Sequence, residues 1–454
     1  MINTQYHQQF QASNQTHILM LTVHGVHEWD VVPGLEDTGG QNVFVNQFSK
    51  ALAKRGCKVT IVNRGGYSHP RSGKLQSGLD YKDSQQRILY LEDEFDRYVR
   101  KEDMGDRFPG LVTALVDFLD GEKISVDLII SHYWDGGMLG FLLKRELHLP
   151  AKHIWVPHSL GLVKKRNLPP ESWQDLRIEE RIGNEREVFS QVDFVAATSS
   201  IIRETAQQDY SYGGKVLWLP PCVDQDRYYD RDVGRGHPIW DLLSDLSGIK
   251  RSQIHNRRII LEISRTDRTK QKDILIRAYA KLQEKQSDTL LVIAIDKDKI
   301  PLGQELMGLI EQLDLEGSTA VVGSIRDLLP ALYAVTTVYC TPSIMEGFGM
   351  SVQEAAATKV PVISSDLVPF VTEYLVGEDP RVLAAESGQE VLLGEGALIV
   401  SPGDVEGFTF ALDLLLSDED LRKKMGQRAY QTAIPYFTWD HIVQDFLDDI
   451  GLRG

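Results

Sequence analysis

The sequence is poor in cysteine and contains no long apolar run. Its 454 residues include three cysteines, Cys57, Cys222 and Cys340, each far from the others in an apolar or strand-like setting. We expect reduced, buried thiols, because their spacing indicates neither a disulfide framework nor a paired-cysteine metal site. No stretch reaches the roughly 18 apolar residues of a membrane span, and the polar first segment lacks the apolar core of a signal peptide. These absences predict a cytoplasmic protein without a membrane span.

An excess of positive charge is also absent. The formal net charge is −16 and the isoelectric point is about 5.3, which argues against a general nucleic-acid or anionic-membrane surface. An acidic protein that binds an anion must do so through a local basic pocket. At 454 residues the chain is too long for one compact domain, so we expect two domains of roughly 200 residues each.

Short apolar runs alternate with amphipathic segments along almost the whole chain. Strands that are apolar throughout and separated by helices predict a parallel sheet covered on both faces. The pattern begins at "HILMLTVHG" (17–25), pauses after "KVLWLPPCVD" (215–224) and restarts at "RRIILEISR" (257–265). It predicts an α/β protein with two doubly wound, Rossmann-like domains that bind ligands at the carboxyl ends of their strands. The predicted boundaries are a first domain at 1–224, a linker at 225–256, a second domain at 257–434 and a C-terminal helix at 435–454.

Two loops carry features that suit phosphate groups. Gly39 and Gly40 precede the first long helix, where backbone N–H groups and the helix N-terminus can approach an anion; a plain turn is the alternative. Arg265 follows a strand and Lys270 precedes a helix, an arrangement that suits a diphosphate. A solvated basic loop is the alternative there.

A third loop combines glycines with two glutamates. In "PSIMEGFGMSVQEAA" (342–356), Glu346 lies in a turn before Gly347-Phe348-Gly349, and Glu354 lies within the predicted helix that follows. Glu346 could accept hydrogen bonds from sugar hydroxyls and Glu354 from a ribose. Two solvated acids would be the simpler explanation of this spacing alone, but the glycines and the upstream Arg265 and Lys270 favour a binding site.

These stretches resemble a known family. The 342–356 segment resembles the E-x₇-E signature of retaining GT-B glycosyltransferases that use nucleotide sugars. "EDTGGQNVFV", "SHYWDGG", "VPHSLG" and "PPCVD" are similar to the sucrose-phosphate synthase and sucrose synthase branch, and the resemblance runs from about residue 18 to about residue 440. It implies a GT-B architecture, in which two Rossmann-like domains face a central cleft and the C-terminal helix crosses back to the first domain.

The resemblance also implies roles for individual residues. It implies a catalytic group made of His158, Glu346, Arg265 and Lys270. It implies a donor site that includes Gly39, Gly40, Arg265, Lys270, Glu346, Phe348, Gly349, Met350 and Glu354. It implies an acceptor site on the first domain that includes Gln41, Lys101, Tyr133 and Arg181.

We expect no obligatory cofactor and no metal ion. The D-x-D pair Asp296 and Asp298 in "DKDK" is typical of metal–diphosphate sites in a different glycosyltransferase fold, but here it follows an apolar strand and is interpreted as a surface loop. Arg265 and Lys270 already supply positive charge for the diphosphate. The partners are therefore small molecules, a nucleotide sugar as co-substrate and a sugar acceptor.

The implied reaction is transfer of a hexosyl group with retention of configuration. UDP-glucose and fructose 6-phosphate, in a sucrose-phosphate type of compatible-solute synthesis, are the first expectation, and a GDP-mannose enzyme is the alternative. Arg100, Lys101, Arg181 and the "KKR" run at 164–166 favour a phosphorylated acceptor in so acidic a chain, although such a run is often a solvated loop. A pyridoxal-phosphate-dependent phosphorylase and a non-catalytic sugar-nucleotide-binding module remain alternatives from other classes.

Overall fold

A computed structural model of the protein describes residues 4–31, 35–298, 301–323, 325, 327–385 and 388–452. The chain divides into two compact units, with boundaries after Pro221 and before Trp439. The first unit combines the N-terminal part of the chain with the last helix, and the second unit holds the segment between the boundaries. The 225–256 segment, predicted as a linker, lies in the second unit and contains two helices.

The helices cover the sheets and connect successive strands. In chain order they are α1 (Thr4–Ala12), α2 (Gly40–Lys54), α3 (Phe108–Glu122), α4 (Tyr133–Leu147), α5 (Gly161–Asn167), α6 (Ile178–Gln191), α7 (Ser200–Gln208), α8 (Pro238–Ser247), α9 (Arg251–Ile254), α10 (Lys272–Gln283), α11 (Leu302–Gln312), α12 (Leu329–Val335), α13 (Met350–Ala357), α14 (Val405–Ser417), α15 (Glu419–Ala433) and α16 (Trp439–Ile450).

The first unit is built on an eight-stranded sheet in the order β10-β9-β8-β7-β1-β2-β6-β5. Its central strands are fully buried, as continuous apolar runs between helices predict. The strand order reverses between β1 and β7, so the loops after these two strands diverge and leave a crevice at their carboxyl ends. The strands of this unit are β1 (His17–Leu21), β2 (Lys58–Arg64), β3 (Tyr67–Ser68), β4 (Leu75–Gln76), β5 (Gly78–Tyr81), β6 (Gln86–Leu91), β7 (Leu128–His132), β8 (Lys152–Val156), β9 (Phe194–Ala197) and β10 (Val216–Trp218).

The second unit repeats this plan with an eight-stranded sheet in the order β13-β12-β11-β14-β15-β18-β17-β16. Here the order reverses between β11 and β14, which places the loop after β11 beside the loop after β14. Those loops carry Arg265, Lys270 and Glu346. The strands are β11 (Arg258–Glu262), β12 (Thr289–Ala294), β13 (Thr319–Val322), β14 (Val338–Thr341), β15 (Val362–Ser365), β16 (Arg381–Ala384), β17 (Glu390–Leu393) and β18 (Ala397–Val400).

The prediction of wholly parallel sheets is wrong at the edges. β5 pairs antiparallel with β6, and β16 and β17 form an antiparallel extension of the second sheet. Both edge elements are short, and β16 is mostly exposed. They therefore lack the continuous apolar run by which buried parallel strands are recognised in a sequence. The doubly wound α/β class itself is confirmed.

The two chain ends are held to the first unit by aromatic residues. Phe10 of α1 is fully buried, and the guanidinium of Arg87 lies 4.1 Å from its ring centre. At the other end, α16 packs on α2 through Phe446 and Trp439, whose rings lie 5.3 and 5.6 Å from that of Phe48. Such clusters fix an element by apolar burial and ring geometry together.

All three cysteines are buried, as predicted, and none of them forms a disulfide. Over the residues that the structure describes, no helix has both the length and the apolar character needed to cross a membrane.

The close approach of α15 to the chain after α13 provides a test of the second unit. A Cβ added to Gly426 would lie 2.0 Å from the carbonyl oxygen of Lys359, whereas one added to Gly308, in the exposed middle of α11, meets nothing within 4 Å. We expect Gly426→Ala to lower the free energy of unfolding by about 1–3 kcal/mol through overpacking. Gly308→Ala should raise it by about 0.5–1 kcal/mol through helix propensity. Denaturant unfolding of both variants measures this; equal effects would contradict the described packing.

Candidate active site

Lys270 and Glu346 meet at the reversal point of the second sheet. Lys270 ends a short 3₁₀ turn, Arg268–Lys270, between β11 and α10. Its Nζ donates to Glu346 Oε1 at 2.6 Å, to the carbonyl oxygen of Met345 at 2.9 Å and to Ser343 Oγ at 3.3 Å. The ammonium group therefore ties the glycine-rich loop to the loop after β11, and the two predicted site residues share one ion pair.

Arg265 lies on the same loop but is differently placed. Within the described part of the chain, its guanidinium has no hydrogen bond or ion pair, and its side chain is exposed. Its charge helps to keep the pKa of Asp267 below the usual range against the opposing effect of burial, together with hydrogen bonds from Thr269. A guanidinium that is held on a loop without a partner is available to bind an anion.

A buried ion pair supports this loop from below. Lys272, in the first turn of α10, contacts the carboxylate of Glu262, the last residue of β11, and both side chains are at most 1% exposed. Ser264 completes the contact, since its hydroxyl accepts from Lys272 at 2.9 Å and donates to Glu262. The pair connects strand end and helix start across the segment that carries Arg265 and Lys270. The sequence analysis missed this pair. The sequence does show a glutamate at the end of an apolar strand and a lysine ten residues later, and this pattern could have indicated it.

The glycine-rich loop is anchored by Phe348 and Gly349. Phe348 is buried, with its ring 5.6 Å from that of Phe370 and 5.8 Å from that of Phe437. Gly349 has φ 115°, and a Cβ there would lie 2.8 Å from Val368 Cγ1, so a larger residue would be strained. The loop leads directly into α13, which begins at Met350, and this places backbone N–H groups at a helix N-terminus beside Glu346 and Lys270.

Glu354 lies on α13 away from the Lys270–Glu346 pair. Burial raises the pKa of its carboxyl to about 7, while the hydroxyl groups of Tyr333 and Tyr228 lower it. A carboxyl in this environment can exchange one tyrosine contact for a hydroxyl of a ligand. The predicted contact with a ribose stays a prediction.

In the first unit, Tyr133 lies at the carboxyl end of β7, and its hydroxyl group accepts hydrogen bonds from two cationic side chains. Arg181 NH1 and Lys164 Nζ donate to its hydroxyl oxygen at 2.5 and 2.8 Å. Arg181 also donates from Nε to Glu185 Oε1 at 2.7 Å and from NH2 to the carbonyl oxygen of Ser159 at 2.6 Å. Tyr133, Arg181 and Glu185 are buried. Two of the four predicted acceptor residues, Tyr133 and Arg181, are thus in direct contact.

Glu185 was missed as a site residue, and Lys164 was cited only as one member of a basic run. Lys164 belongs to the "KKR" run, but its neighbours Lys165 and Arg166 pair at the surface with Glu179 and Asp209. Only Lys164 turns inward, because α5 presents one residue of the run to Tyr133. The run as a whole therefore gave no signal that separated Lys164 from its neighbours.

The other predicted acceptor residues are engaged elsewhere. Lys101 contacts Asp37 and lies 3.0 Å from Glu102, so its charge is balanced by carboxylates, and it acts on Tyr133 only through space. Gln41 donates from Nε2 to Thr22 Oγ1 at 3.2 Å. Arg100, cited with them as a basic residue, pairs with Asp175 at the surface.

The predicted glycine turn precedes α2. The N–H of Gly39 donates to Asn42 Oδ1 at 2.9 Å, and a Cβ at this position would meet nothing within 4 Å. Space above the turn is therefore open, while Gly39 N–H itself already has a partner. Gly40 is the first residue of α2, and its contact with the donor stays a prediction.

A group of histidines lies at the carboxyl ends of β1, β7 and β8. His158 and His132 are hydrogen-bonded at 3.0 Å, and burial lowers the pKa of His158 to about 3, so the pair is neutral near pH 7. His24, which the sequence analysis missed, is bonded through Nδ1 to Asp135 at 2.9 Å. Both His158 and Tyr133 have positive φ values, 56° and 65°. Such strained positions cluster at functional sites.

Asp296 and Asp298 follow β12, and Asp296 Oδ1 accepts the N–H of Asp298 at 3.1 Å. Within the described ranges, no group of three histidine, cysteine or carboxylate residues is arranged to hold a metal ion. The expectation that no metal is needed stays untested.

Two protein-family models match the chain. A model described as "Glycosyl transferases group 1" matches residues 249–432, and one described as "Glycosyltransferase Family 4" matches residues 38–227. Together they cover the second sheet, the first sheet except β1, and most of the site residues described above.

Similar proteins cover the chain almost completely. A mannosylfructose-phosphate synthase from Agrobacterium fabrum is 25% identical over 446 residues, 95% of this chain and 90% of that protein. A D-inositol 3-phosphate glycosyltransferase from Corynebacterium jeikeium is 24% identical over 434 residues, 93% of this chain and 95% of that protein. Among solved structures, the sucrose-phosphate synthase of Thermosynechococcus elongatus has a TM-score of 0.77 at 23% identity, covering 96% of this chain and 98% of its own.

The buried pair Glu262–Lys272 allows a test of how the phosphate-binding loop is supported. Lys272→Met should lower the free energy of unfolding by about 3–5 kcal/mol, because it leaves the Glu262 carboxylate buried without a counter-charge. The double variant Glu262→Leu with Lys272→Met should recover most of that loss, since no charge then remains. Denaturant unfolding of the single and double variants measures the coupling, and a double variant as unstable as the sum of the singles would refute it.

Proposed function

The chain belongs to the glycosyltransferases, with the GT-B fold, and we propose that it transfers a hexosyl group from a nucleotide sugar to a small phosphorylated acceptor. The observation that carries the acceptor part is the pair of cations at Tyr133, of which Arg181 is buried and Lys164 half-buried. Both side chains donate to one hydroxyl group, in a chain whose net charge is −16. Cations gathered at one point, in a protein that otherwise repels anions, are suited to an anionic ligand.

We assign the nucleotide diphosphate to the second unit. Arg265 supplies an unpaired guanidinium, Lys270 an ammonium at the same loop, and α13 a helix N-terminus. These three elements stabilise the negative charge that develops on the diphosphate as the sugar leaves. Glu346, oriented by Lys270, is placed to accept hydrogen bonds from the transferred sugar.

Retention of configuration is proposed from the resemblance to retaining GT-B glycosyltransferases. Glu346 is paired with Lys270 at 2.6 Å, which makes it a weak nucleophile, so we favour a same-face displacement. In this reaction the bond between the sugar and the diphosphate breaks as the acceptor hydroxyl attacks from the same side. The leaving diphosphate oxygen takes the proton of that hydroxyl, while Arg265 and Lys270 hold the developing charge.

The donor and acceptor are proposed on chemical grounds and by similarity. UDP-glucose with fructose 6-phosphate is the first pair to test, since the solved structure with a TM-score of 0.77 is a sucrose-phosphate synthase. GDP-mannose is the second donor, because a mannosylfructose-phosphate synthase is similar over 95% of the chain. Both names denote disaccharide phosphates, which agrees with a cation pair for the acceptor's phosphate. We propose no obligatory metal or other cofactor.

Removing either cation of the diphosphate site should slow turnover. We expect Arg265→Ala and Lys270→Ala each to lower kcat about a hundredfold, or about 3 kcal/mol, because each contact strengthens as charge develops on the leaving group. Arg268→Ala is the matched control: Arg268 lies on the same loop and is also exposed, but it pairs with Glu305, so turnover should be nearly normal. Released nucleotide is measured with a panel of nucleotide sugars and acceptors, with and without EDTA.

Activity should persist in EDTA, since protein cations neutralise the diphosphate. If EDTA abolishes turnover and magnesium or manganese restores it, Asp296 and Asp298 must be reconsidered as ligands. Near-normal turnover in both Arg265→Ala and Lys270→Ala would exclude the assigned roles.

A phosphorylated acceptor should be strongly preferred to its unphosphorylated parent. We expect kcat/KM to differ by at least about a hundredfold, roughly the worth of two charge-assisted hydrogen bonds at about 1.5 kcal/mol each. Arg181→Ala should reduce this preference while leaving nucleotide affinity almost unchanged. Lys165→Ala, a change in the outward-facing lysine beside Lys164, is the control and should retain the preference.

Equal efficiency with free and phosphorylated sugars would favour a sucrose-synthase-like reaction. Turnover with GDP-mannose but not UDP-glucose would select the mannosyl alternative. Absence of transfer with every donor, in a protein that still binds nucleotide sugars, would favour the non-catalytic module.

A further inference from the structure

The hydroxyl of Tyr133 is hydrogen-bonded to two cationic side chains, the buried Arg181 and the half-buried Lys164. Arg181 NH1 lies 2.5 Å and Lys164 Nζ 2.8 Å from its oxygen. The guanidinium of Arg181 also lies over the Tyr133 ring, 4.3 Å from its centre. The carboxyl group nearest to this cluster is that of Glu185, which is fully buried and bonded to Arg181.

The charges of this cluster do not balance if Tyr133 is neutral. Arg181 and Lys164 contribute two positive charges, and Glu185 contributes one negative charge. Glu185 is further occupied by the N–H of Gly161, at 2.8 Å, and by the hydroxyl of Tyr210. Among the described residues, the hydroxyl of Tyr133 is the sole polar partner of the Lys164 ammonium. A half-buried ammonium without a counter-charge is costly, because partial burial removes part of its hydration.

Neighbouring carboxylates do not supply the missing charge. Asp37 contacts Lys101, and Glu102 lies 3.0 Å from Lys101 and 3.6 Å from Arg100, which also lies 3.3 Å from Asp175. On the other side, His24 packs edge-on against the Tyr133 ring at 4.8 Å and is bonded to Asp135, so that pair is balanced when His24 is protonated. None of these carboxylates is hydrogen-bonded to Lys164, whose ammonium has no carboxylate partner among the described residues.

We propose that Tyr133 is a resident counter-ion: its phenolate neutralises Lys164 and Arg181 in the empty site and takes up a proton when an anionic acceptor binds there. The O–H bond of Tyr133 breaks as the site empties and forms again, with a proton from solvent, as the anion arrives. A bound monoanion therefore leaves the net charge of the cluster unchanged, and a bound dianion adds one negative charge to it. One part of this proposal, that the incoming anion is the acceptor's phosphate, rests on the proposed function. The other part, that Tyr133 is the counter-ion, does not.

The electrostatic environment agrees with this role. Burial raises the pKa of Tyr133, but the charges of Arg181, Lys164 and Lys101 outweigh it and lower that pKa to about 7. Burial conversely lowers the pKa of Lys164, while Tyr133 raises it. Loss of a proton from Lys164, with Tyr133 neutral, is the competing way to remove the excess charge, and it has a different spectroscopic outcome.

A resident counter-ion also explains selectivity. A neutral sugar cannot replace the charge of the phenolate, so it must bind beside an intact Tyr133–Lys164–Arg181 cluster. A phosphate dianion can replace it and leaves Tyr133 as an O–H donor to the anion. The preference for an anion then has two sources. One is the direct contact of the anion with Arg181 and Lys164, and the other is the protonation of Tyr133 that accompanies binding.

The test is a titration of the ligand-free protein, followed through the near-ultraviolet absorbance of tyrosinate from about pH 5 to about pH 9. We expect a step equivalent to one of the 16 tyrosines with a midpoint near pH 7. The step should vanish in Tyr133→Phe and persist in Tyr229→Phe, where the changed tyrosine is exposed in the second unit. In Lys164→Met the midpoint should rise by about one unit or more, because a cation at hydrogen-bond distance is lost. Absence of the step in wild-type protein would overturn the proposal and leave a neutral Lys164 in its place.

Inorganic sulfate is the probe for the second half, since it does not titrate near neutral pH. Added to wild-type protein at about pH 8, it should reduce the tyrosinate signal and take up a proton from a weakly buffered solution. Its affinity should fall about tenfold for each pH unit above the midpoint. In Tyr133→Phe, sulfate should bind without proton uptake, so this variant also reports whether the site still folds.

The outcomes separate the proposal from the proposed function. A tyrosinate step that sulfate suppresses supports the counter-ion even if no phosphorylated acceptor is turned over. Sulfate binding that leaves the tyrosinate signal unchanged would overturn the coupling, even in an enzyme that prefers phosphorylated acceptors.

Discussion

Both candidate sites depend on a constraint of doubly wound parallel sheets. Where the strand order reverses, the loops after two adjacent strands leave in opposite directions and their carboxyl ends stay uncovered. In the first unit these strands are β1 and β7, and in the second they are β11 and β14. Tyr133 follows β7 directly, and Arg265 and Lys270 follow β11. The strand order therefore determines where these candidate site residues lie, independently of any side-chain contact.

Local charge compensation is the second requirement, because buried cations are unstable without partners. The second unit meets it with carboxylates: Glu346 pairs with Lys270, and Glu262 pairs with Lys272 beneath the loop. The first unit balances Arg181 with Glu185 but gives Lys164 only a tyrosine hydroxyl. The carboxylate–lysine pairs hold the loops of the second unit in place. In the first unit, Lys164 has no carboxylate partner, so a charged group of a ligand can bind there.

Much of the second-unit site could be predicted because its residues are close in sequence. Arg265 and Lys270 lie on one loop, and Glu346, Gly349 and Glu354 lie on another, so strand and helix periodicity alone place them at element ends. The Lys270–Glu346 bond confirms that these loops are adjacent. The individual roles of the residues stay predictions, since geometry without a ligand does not identify which atom binds which group.

The sequence by itself determined the α/β class, the two-unit plan, the buried cysteines and the glycosyltransferase family, because these depend on local periodicity and on contiguous motifs. Only the tertiary structure decided which charges act together. It turned Lys164 toward Tyr133 while Lys165 and Arg166 face surface carboxylates, and it occupied Lys101 with Asp37. It also made β5, β16 and β17 antiparallel. The physical reason is common to these cases: side-chain direction and edge pairing depend on neighbours distant in sequence, which periodicity cannot report.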